Sequence, residues 1–396
     1  MTLRTAVTAE PIPSHVSALD YVVGPALGQG HHVTVYAPPM FRREVRRRRA
    51  DFRAAGVNWT CDPGLQRAAG RVWRSQGNAA FNRYVFGRLW PRQAAVKARD
   101  LIGAWRRDRP DLVIAECSDP GAHLAARVLR LPLVAADNGL GPVLVDLWDT
   151  HVAPALLPLY ERYGQDSPTL PPMLSPAPLP WFFPAPPASA RAVRRTLPAF
   201  RTAPFRHPGV ALRPSRPLVY VSLGTLATAM SGLRTVAEGV YREVMAAVRA
   251  LDCDAIVSAG DLAPRLPSAG PHITVVTRVP QPALLHRAGA FVTHAGRASL
   301  LDAVQAATPV LSMGVLADQP GNAAAFSGRG LGRSLDVTAG RDEIAGALSA
   351  LLGTSRHATA MRAARAELSR LPPLDLAALR DGATGPVPAC GGGSAG

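Results

Sequence analysis

The 396-residue sequence contains a single lysine, Lys97, and this scarcity excludes a large class of phosphate sites. A P-loop needs a lysine directly after the second glycine of its motif, whereas Lys97 follows Val96. The dinucleotide fingerprint GxGxxG is also missing after the first apolar strand pattern. These two absences argue against kinases, ATPases and dehydrogenases.

Cysteine and long apolar runs are scarce as well. The four cysteines, Cys61, Cys117, Cys253 and Cys390, form no CxxC pair, so we expect neither a zinc site nor a disulfide framework. No run reaches the roughly 20 apolar residues that a membrane helix needs. The N-terminus also lacks the apolar region of a signal peptide. We therefore expect a cytoplasmic protein.

Acidic residues are in the minority, with 28 against 44 lysines and arginines, which gives a net charge of +16. The densest basic run lies between Arg42 and Arg49. Because no aromatic residues interleave with that run, a solvated helix face explains it better than a nucleic-acid surface. We predict no nucleic-acid partner, while peripheral contact with an acidic membrane stays open.

Short apolar strand patterns alternate with helical patterns along most of the chain. Strands are predicted in the N-terminal half at 4–8, 32–36, 57–61, 111–115 and 132–136, and in the C-terminal half at 217–222, 254–258, 273–276, 289–293 and 309–313. This alternation is typical of parallel sheets covered by helices, and the chain length suits two such domains. We predict an α/β protein with two doubly wound, Rossmann-like domains that face each other across a cleft.

The predicted domain boundaries follow from composition. An N-terminal domain should span residues 1–202, a linker 203–216 and a C-terminal domain 217–380. Proline is so dense between 154 and 187 that no regular structure is expected there. Residues 381–396 are rich in Gly, Ala and Pro and are predicted to form a disordered tail.

Two β-to-α loops of the C-terminal half have the composition of a phosphate site. One runs from Ser222 to Thr225 through a glycine, and the other runs from His294 through Gly296 to Ser299 and opens a helix. Exposed N–H groups and the positive end of the helix dipole can bind a diphosphate there. Ligands of doubly wound sheets bind at the carboxyl ends of the strands, so both loops lie at the expected edge.

The run from Arg278 through His294-Ala-Gly296 to Asp318-Gln319-Pro320 and Asn322 resembles the donor-site signature of the UDP-glycosyltransferase superfamily. Within glycosyltransferase family 1 it is similar to bacterial enzymes that decorate macrolides, enediynes and other natural products. The resemblance is strong over residues 217–335 and looser in the N-terminal half. It implies the GT-B fold, an N-terminal acceptor-binding domain and a C-terminal domain that binds a UDP- or TDP-sugar, with a role in antibiotic biosynthesis or other secondary metabolism.

The resemblance also implies roles for the residues around the phosphates and the ribose. His294, Gly296 and Ser299 are expected to hold the diphosphate, with Thr225 on the facing loop. Asp302, one helical turn after Ser299, is expected to accept hydrogen bonds from the ribose. The family's usual residue at that position is the longer glutamate.

The remaining matched residues are expected to bind the sugar and the base. The resemblance implies that Asp318 and Gln319 contact hydroxyls of the sugar, and that Val279 and Gln281 border the base. Arg278 replaces a tryptophan that commonly stacks on the base, and its guanidinium can stack in the same way. These departures leave the choice between uridine and thymidine open.

Sugar transfer needs a base for the acceptor hydroxyl and positive groups for the leaving diphosphate. His15 follows the first predicted strand at the start of a helix, and it matches the position of the family's catalytic histidine. Glu116 ends a neighbouring strand and is predicted to orient the imidazole, with Asp119 in reserve. Attack from the face opposite the leaving group would invert the anomeric centre.

A metal is not expected. Asp252-Cys253-Asp254 resembles the metal-binding DxD of the other major glycosyltransferase fold, but it precedes its strand and so lies at the wrong edge of the sheet. His31 and His32 also precede a strand and are predicted to be structural. The expected partners are a nucleotide sugar, acting as co-substrate with no further cofactor, and a small hydroxyl-bearing acceptor. Formation of a homodimer stays open.

Several alternatives remain at this stage. They are a non-catalytic auxiliary protein of the same fold that activates a partner enzyme, a transferase acting on a lipid or carotenoid, and a sugar-nucleotide epimerase. The retained His294, Ser299 and Asp302 argue against the auxiliary role. The aromatic stretch 73–90 is expected to form both core and acceptor-pocket wall.

Overall fold

The structure, a computed structural model, describes residues 2–175, 216–224, 233–267 and 270–384. It contains two parallel six-stranded sheets, one in each half of the chain. Both sheets have the same strand order, 3-2-1-4-5-6, when the strands are counted within each half. The predicted α/β architecture with two doubly wound sheets is confirmed.

The first sheet is formed by β1 (Arg4–Thr8), β2 (His32–Ala37), β3 (Asp51–Ala54), β4 (Leu112–Glu116), β5 (Leu133–Ala136) and β6 (Met173–Leu174). Its helices are α1 (Pro13–Ala18), α2 (Asp20–Gly28), α3 (Arg42–Arg47), α4 (Pro63–Tyr84), α5 (Trp90–Arg107), α6 (Pro120–Val128), α7 (Gly141–Leu147) and α8 (Ala153–Arg162). Two π-helical turns, Val85–Leu89 and Trp148–Val152, join α4 to α5 and α7 to α8.

The second sheet is formed by β7 (Leu218–Ser222), β8 (Asp254–Ser258), β9 (Ile273–Val276), β10 (Ala290–Thr293), β11 (Val310–Ser312) and β12 (Gly332–Ser334). Its helices are α9 (Arg234–Arg249), α10 (Gln281–Leu285), α11 (Arg297–Ala306), α12 (Gln319–Gly328), α13 (Arg341–Gly353) and α14 (Ser355–Ser369). A last helix, α15 (Leu376–Thr384), follows.

The central strands are buried on both faces, as expected of a parallel sheet covered by helices. Every residue of β4 is buried, and the chain then enters α6 through a short capped turn. Asp119 Oδ1 accepts a hydrogen bond from Ala122 N at 3.1 Å, and Pro120 occupies the first helical position. This turn fixes Glu116 and Asp119 at the carboxyl edge of the sheet.

In both sheets the strand order reverses beside the first strand. β1 pairs with β2 on one side and β4 on the other, and β7 pairs with β8 and β10 in the same way. Ligands of doubly wound sheets bind outside the carboxyl ends of the strands at such switch points. The fold thus creates two neighbourhoods for binding, one per sheet.

The predicted strand at 57–61 is wrong. The third strand of the first sheet is Asp51–Ala54, and Trp59–Cys61 forms a short 3-10 turn instead. The real strand lies at the edge of the sheet and is largely exposed, so it lacks the apolar run that marks a buried strand. The exposed basic run that precedes it begins as α3, in agreement with the predicted helix face.

The expectation of no regular structure between 154 and 187 is wrong for its first part. α8 contains both Pro154, in its first turn where proline is tolerated, and Pro158, and β6 adds an edge strand. The later prolines of this segment and most of the predicted linker 203–216 lie outside the described residues.

The last helix also changes the predicted C-terminal boundary. α15 continues to Thr384, past the predicted start of the tail at Asp381; residues 385–396 lie outside the described part. Leu376 and Leu379 of this helix pack in the same buried apolar cluster as Val7 of β1. The end of the described chain therefore returns to the N-terminal sheet. Among the described residues, no helix combines the length and hydropathy needed to cross a membrane.

Candidate active site

His15 lies on α1, directly after β1, and its ring faces Glu116 at the end of β4. Nδ1 of His15 is 2.5 Å from Glu116 Oε1, within ion-pair distance although outside the angle of a regular hydrogen bond. The His15 side chain keeps 13% of its surface exposed, whereas Glu116 is fully buried. The two predicted residues are in contact, while the reserve candidate Asp119 pairs with Lys97 instead.

The carboxylate of Glu116 is held by several further donors. The backbone N–H of Glu10 donates to Oε2 at 2.8 Å, and Ser118 Oγ and Asn138 Nδ2 both donate to Oε1. Burial alone would raise the pKa of Glu116, but His15, Ser118 and the Glu10 amide together lower it. The carboxylate is thus kept ionised in a site without water contact.

The imidazole of His15 is biased toward its charged form. Burial alone would lower the pKa of His15, yet Glu116, with smaller contributions from Glu10 and Asp318, raises it above its ordinary value of 6.5. A histidine with this environment can take up a proton and have the resulting charge stabilised.

In the C-terminal half, the ring of His294 fills the space between two glycine loops. A Cβ on Gly224, whose φ is +71°, would lie 2.6 Å from His294 Cε1, and one on Gly296 would lie closer still. Any side chain at these positions would therefore collide with the ring. Burial lowers the pKa of His294 to about 4, so the imidazole is neutral at pH 7 and acts as a dipole. Thr225, predicted to join this site, lies outside the described residues.

Three predicted donor residues form one polar cluster at the carboxyl edge of the second sheet. Gln281 Nε2 donates to Asp302 Oδ2 at 2.9 Å and to Ser299 Oγ at 3.4 Å. Tyr220 of β7 adds its hydroxyl, which donates to Gln281 Oε1 at 3.5 Å. Burial, opposed by Gln281, raises the pKa of Asp302 to about 6.

Beside this cluster, Val279 and Arg278 differ in exposure. Val279 packs partly buried against the apolar cluster behind the site, whereas Arg278 is exposed. An exposed guanidinium is free to stack on a planar group.

Asp318 and Gln319 occupy the same loop but have different surroundings. Asn322 Nδ2 donates to Asp318 Oδ2 at 2.5 Å and to the Ala295 carbonyl at 3.1 Å, which ties this loop to the His294 loop. Burial raises the pKa of Asp318 to about 6. Gln319 Oε1 accepts hydrogen bonds from the backbone N–H groups of residues 315 and 316, and its side chain is buried. Its carbonyl oxygen therefore supports the loop.

An ion pair that the sequence analysis missed crosses between the two domains. Arg297, at the start of α11, pairs through Nη1 with Asp137 Oδ2 and donates through Nη2 to Ser175 Oγ. Asp137 Oδ1 accepts the backbone N–H groups of Gly139 at 2.8 Å and Gly141 at 3.1 Å. Both charged side chains are buried, at 2% and 0% exposure.

A second cross-domain contact reaches the loop of Asp318. The chain leaves helical geometry at Gly77 within α4, where φ is 77°, and the next residue points its amide at Ala317. Asn78 Nδ2 donates to the Ala317 carbonyl at 2.9 Å, and Ala317 N donates to Asn78 Oδ1 at 2.7 Å. Trp73 Nε1 donates to the Val315 carbonyl at 3.0 Å. The N-terminal domain therefore holds the loop of Asp318 through the backbone of that loop.

These contacts bring the two predicted sites together. Asp318 is among the charges that raise the pKa of His15, and His15 in turn opposes the raised pKa of Asp318. His15 and Asp318 come from different domains, so the His15–Glu116 pair and the loop of Asp318 face each other across the cleft.

The residues that connect the domains, Arg297, Asp137 and Asn78, are not predicted from the sequence. Arg297 lies within the predicted phosphate loop from His294 to Ser299. A cation at the positive end of a helix dipole needs a counter-charge, so its position indicates an acidic partner. Asp137 and Asn78 gave no such signal, because their partners are distant in the chain.

The residues predicted to be structural have protein partners. His31 Nδ1 accepts the Leu3 N–H at 3.1 Å. In the DxD-like motif, Asp252 pairs with Arg216 at 3.1 Å and Asp254 with His272 at 3.5 Å. Within the described ranges, no three His, Cys, Asp or Glu residues are grouped as metal ligands.

Comparison with known proteins identifies the family. The family model for UDP-glucoronosyl and UDP-glucosyl transferase matches residues 212–379. Elloramycin glycosyltransferase ElmGT of Streptomyces olivaceus is 33% identical over 309 residues, which is 74% of this chain and 72% of the relative. The chain belongs to this UDP-glycosyltransferase family. It is accordingly a glycosyltransferase, as the donor-site signature implied.

A second relative matches over a shorter region. Zeaxanthin glucosyltransferase of Pseudescherichia vulneris is 34% identical over 155 residues, which covers 39% of this glycosyltransferase and 37% of that protein. Among solved structures, the spinosyn rhamnosyltransferase SpnG superposes with a TM-score of 0.77 at 17% identity, covering 94% of this chain and 97% of SpnG. The fold is therefore GT-B, as predicted.

Proposed function

We propose that this glycosyltransferase is an inverting, metal-independent enzyme that transfers a sugar from a UDP- or TDP-sugar to a hydroxyl group of a small, largely apolar acceptor. The observation that carries the proposal concerns His15 and Asp318, which lie on different domains: Asn78 of the N-terminal domain bonds the residue before Asp318, and the two charges act on each other's pKa. One belongs to a charge-stabilised histidine–carboxylate pair, and the other to the loop expected to bind the donor sugar.

His15 acts as the general base. Its Nδ1 faces Glu116, which leaves Nε2 to accept the proton of the acceptor hydroxyl. The acceptor oxygen then forms a bond to the anomeric carbon while the bond from that carbon to the diphosphate breaks. The proton remains on His15, and the ionised Glu116 stabilises the imidazolium.

The leaving diphosphate takes the electron pair of the broken bond and is stabilised by the second sheet. The N-terminus of α11, with Gly296 and Ser299, offers N–H and O–H donors, and the neutral His294 adds one more. Attack from the face opposite this group inverts the anomeric centre. Because these donors and the helix dipole stabilise the departing charge, no metal is required.

The nucleoside is bound by Gln281, Asp302 and Arg278, and the sugar by Asp318. Asp302 is hydrogen-bonded by Gln281 and accepts from the ribose hydroxyls. SpnG has been solved with thymidine diphosphate and with spinosyn aglycone, which supports a thymidine or uridine donor and a small-molecule acceptor for the same fold. We propose no cofactor beyond the nucleotide sugar.

The donor site is tested by thermal shift with UDP, TDP, GDP and ADP in the presence of a metal chelator. A nucleotide at about 100 times its dissociation constant should stabilise the protein by about 2.7 kcal/mol. We expect this stabilisation for UDP or TDP only, and we expect Asp302→Ala and His294→Ala to abolish it.

Two variants of the same domain serve as matched controls. Asp342→Ala removes an exposed aspartate, and His272→Ala removes a half-exposed histidine that precedes β9 at the opposite edge of the sheet. Both should keep the nucleotide response. No stabilisation by any of the four nucleotides would contradict the donor site, and a response that needs a divalent cation would contradict metal independence.

The acceptor class is tested separately, by product analysis with a panel of hydroxylated compounds. ElmGT and zeaxanthin glucosyltransferase are named for different small molecules, so the panel should contain both elloramycin-type aglycones and zeaxanthin. Inversion is read from the anomeric proton coupling of the product. A retained configuration would contradict the single-displacement mechanism.

A further inference from the structure

Behind the His15–Glu116 pair lies a second buried group of charges, formed by Glu10, Lys97 and Asp119 and called here the Lys97 cluster. All three residues are at most 5% exposed. Glu10 belongs to the connection after β1, Asp119 to the connection after β4, and Lys97 to α5. The cluster therefore joins the two loops that carry the catalytic pair.

The ammonium of Lys97 contacts both loops directly. Nζ is 2.5 Å from Asp119 Oδ2 and donates to the Ala9 carbonyl at 2.6 Å. It also lies 3.6 Å from Glu10 Oε1, whose other oxygen accepts from Trp59 Nε1 at 3.0 Å. Three acceptors around one ammonium match its three donors.

The cluster is connected to Glu116 through the backbone. The Glu10 N–H donates to Glu116 Oε2 at 2.8 Å, and the Asp119 N–H donates to the Glu116 carbonyl at 2.9 Å. His123 Nε2 lies 3.1 Å from the same carbonyl. Any movement of Glu10 or Asp119 would therefore displace the carboxylate that faces His15.

The stem of Lys97 is closely packed between two glycines. A Cβ on Gly121 would lie 2.9 Å from Lys97 Cβ, and a Cβ on Gly56 would lie 3.2 Å from Lys97 Cδ. Lysine and arginine together number 44 in this chain, yet only this position is a lysine. A compact ammonium suits a closed, three-oxygen site better than the larger planar guanidinium.

The charges of this region are strongly interdependent. Burial raises the pKa of Glu10 to about 7, with Asp119 and Glu116 adding to the effect and Lys97 opposing it. Burial alone would lower the pKa of Lys97, but Asp119 and Glu10 raise it, so the lysine stays charged. His123, which also faces Asp119, has its pKa lowered by burial to about 4 and is neutral. Lys97 is thus the cation that opposes protonation of Glu10.

We propose that Lys97 is a positioning residue for sugar transfer: its ammonium fixes the loops of His15 and Glu116 relative to each other and favours the ionised form of Glu10. The inference rests on the proposed role of His15 as the base. Without Lys97, Glu10 and Asp119 would be two buried carboxylates without a cation, and Glu10 would hold its proton to higher pH. Since Glu10 raises the pKa of His15, its neutralisation lowers that pKa.

The test combines a titration of His15 with transfer kinetics in variants of the cluster. The pKa of His15 is read by NMR from its ¹³C-labelled ring, assigned by the signal lost in His15→Gln. We expect the pKa of His15 to fall in both Lys97→Met and Glu10→Gln, and to fall no further in the double variant. Lys97→Arg, which keeps the charge although its guanidinium fits the closed site less well, should lower the pKa of His15 less than Lys97→Met does.

For transfer, kcat/KM with TDP-glucose or UDP-glucose and the best acceptor of the panel should fall about 10- to 100-fold in Lys97→Met, because misplaced catalytic groups lose effective concentration. The double variant should recover part of this loss, since one uncompensated carboxylate is gone. Arg99→Met, which removes an exposed cation from the same helix, is the matched control and should behave as the unmodified protein.

An unchanged pKa of His15 in Glu10→Gln would overturn the inference. Because Glu10→Gln retains Lys97, this test stays possible if Lys97→Met fails to fold. Additive effects of the two substitutions on that pKa would also overturn it, since they would mean that Lys97 does not act through Glu10. The titration needs no turnover, so it is separate from the proposed function. Full activity of His15→Ala would contradict the base, whereas an unresponsive titration with inactive His15→Ala would contradict only the role of Lys97.

Discussion

The two domains share one strand order, and the candidate site of each lies at the switch point of its sheet. The side chains at the two switch points nevertheless differ in charge. At the switch point of the first sheet lie buried groups that carry or can take up charge, including His15, Glu116 and Lys97. At the switch point of the second sheet lie a neutral histidine, an amide, a hydroxyl and glycine loops. In the proposed mechanism, the same scaffold therefore carries a proton-transfer site on one side and a dipolar site on the other.

The difference agrees with what each side binds in the proposed function. A nucleoside diphosphate brings its own negative charge, so helix N–H groups and neutral donors are enough to hold it. A hydroxyl group is neutral and must lose a proton during the reaction, so the base beside it needs a pKa adjusted by fixed charges. On the acceptor side, function therefore depends on buried electrostatics, whereas on the donor side it depends on backbone geometry.

The largest effect is expected from His15→Ala, which should remove proton transfer and leave nucleotide binding intact. Loss of the base should lower kcat/KM by about 10²- to 10⁴-fold, while the stabilisation by UDP or TDP stays unchanged. The measurement is steady-state transfer kinetics alongside thermal shift. In the unmodified protein, kcat/KM should fall on the acid side at a pH above 6.5, because the base must be neutral and the pKa of His15 is raised.

His32→Ala provides the control for this substitution. His32 is an exposed histidine at the start of β2, at the opposite edge of the same sheet, so its removal should change neither quantity. If His15→Ala weakened nucleotide binding as strongly as turnover, the division of tasks between the two domains would be wrong.

The next effect concerns the ion pair that joins the two sides. Arg297→Met leaves the fully buried Asp137 without its cation and should lower the free energy of unfolding by about 3–5 kcal/mol. Adding Asp137→Asn should restore most of the loss, because the uncompensated charge is then removed. Urea unfolding followed by tryptophan fluorescence measures both variants.

An exposed ion pair of the C-terminal domain is the matched comparison. Arg242 and Glu238 are one helical turn apart on α9 with a distance of 3.0 Å, and Arg242 is 56% exposed. Arg242→Met should cost less than about 1 kcal/mol. An equally small cost for Arg297→Met would mean that the buried pair does not hold the domains together.

The two domains also differ in how far their sequence predicts them. In the donor half, most of the predicted site residues lie within one stretch between Arg278 and Asn322, so local strand–loop–helix patterns and the family signature predict them together. In the acceptor half, His15 and Glu116 could be predicted because each ends or follows an apolar strand pattern and because His15 matches the position of the family's catalytic histidine. Their supporting residues could not be found, since the bond from Glu10 to Glu116 spans 106 positions.

The predicted secondary structure is wrong where the pattern of apolar residues, the main signal of burial in a sequence, is weak or misleading. The edge strand Asp51–Ala54 is mostly exposed and carries no apolar run. The prolines of α8 suggested an irregular segment, although one lies in the first turn and the helix continues past the other. The return of α15 to the first sheet depends on tertiary packing of a few leucines, for which no local pattern exists.

The smallest effect is expected at Asn78, where an acceptor-domain residue enters the donor side. Its amide donates to the carbonyl of Ala317 and accepts the Ala317 N–H, while Asn82 Nδ2 adds only a longer bond of 3.4 Å to that carbonyl. Ala317 is a non-glycine residue with φ of 55°, immediately before Asp318. Loss of these bonds in Asn78→Ala should weaken binding of the nucleotide sugar by about tenfold, because a hydrogen bond contributes roughly 1 kcal/mol. Binding of the nucleoside diphosphate alone should stay the same, because its contacts lie on the His294 and Gln281 side of the site.

Calorimetric titration with both ligands measures the difference, and Ser75→Ala on the exposed face of the same helix is the control. If Asn78→Ala weakened both ligands equally, the loop of Asp318 would serve the whole donor site. If it weakened neither, Asp318 would hold its position without α4, and recognition of the sugar would belong to the C-terminal domain alone. The expected result lies between these two: the acceptor domain takes part in donor recognition only at the sugar, where the two substrates must meet.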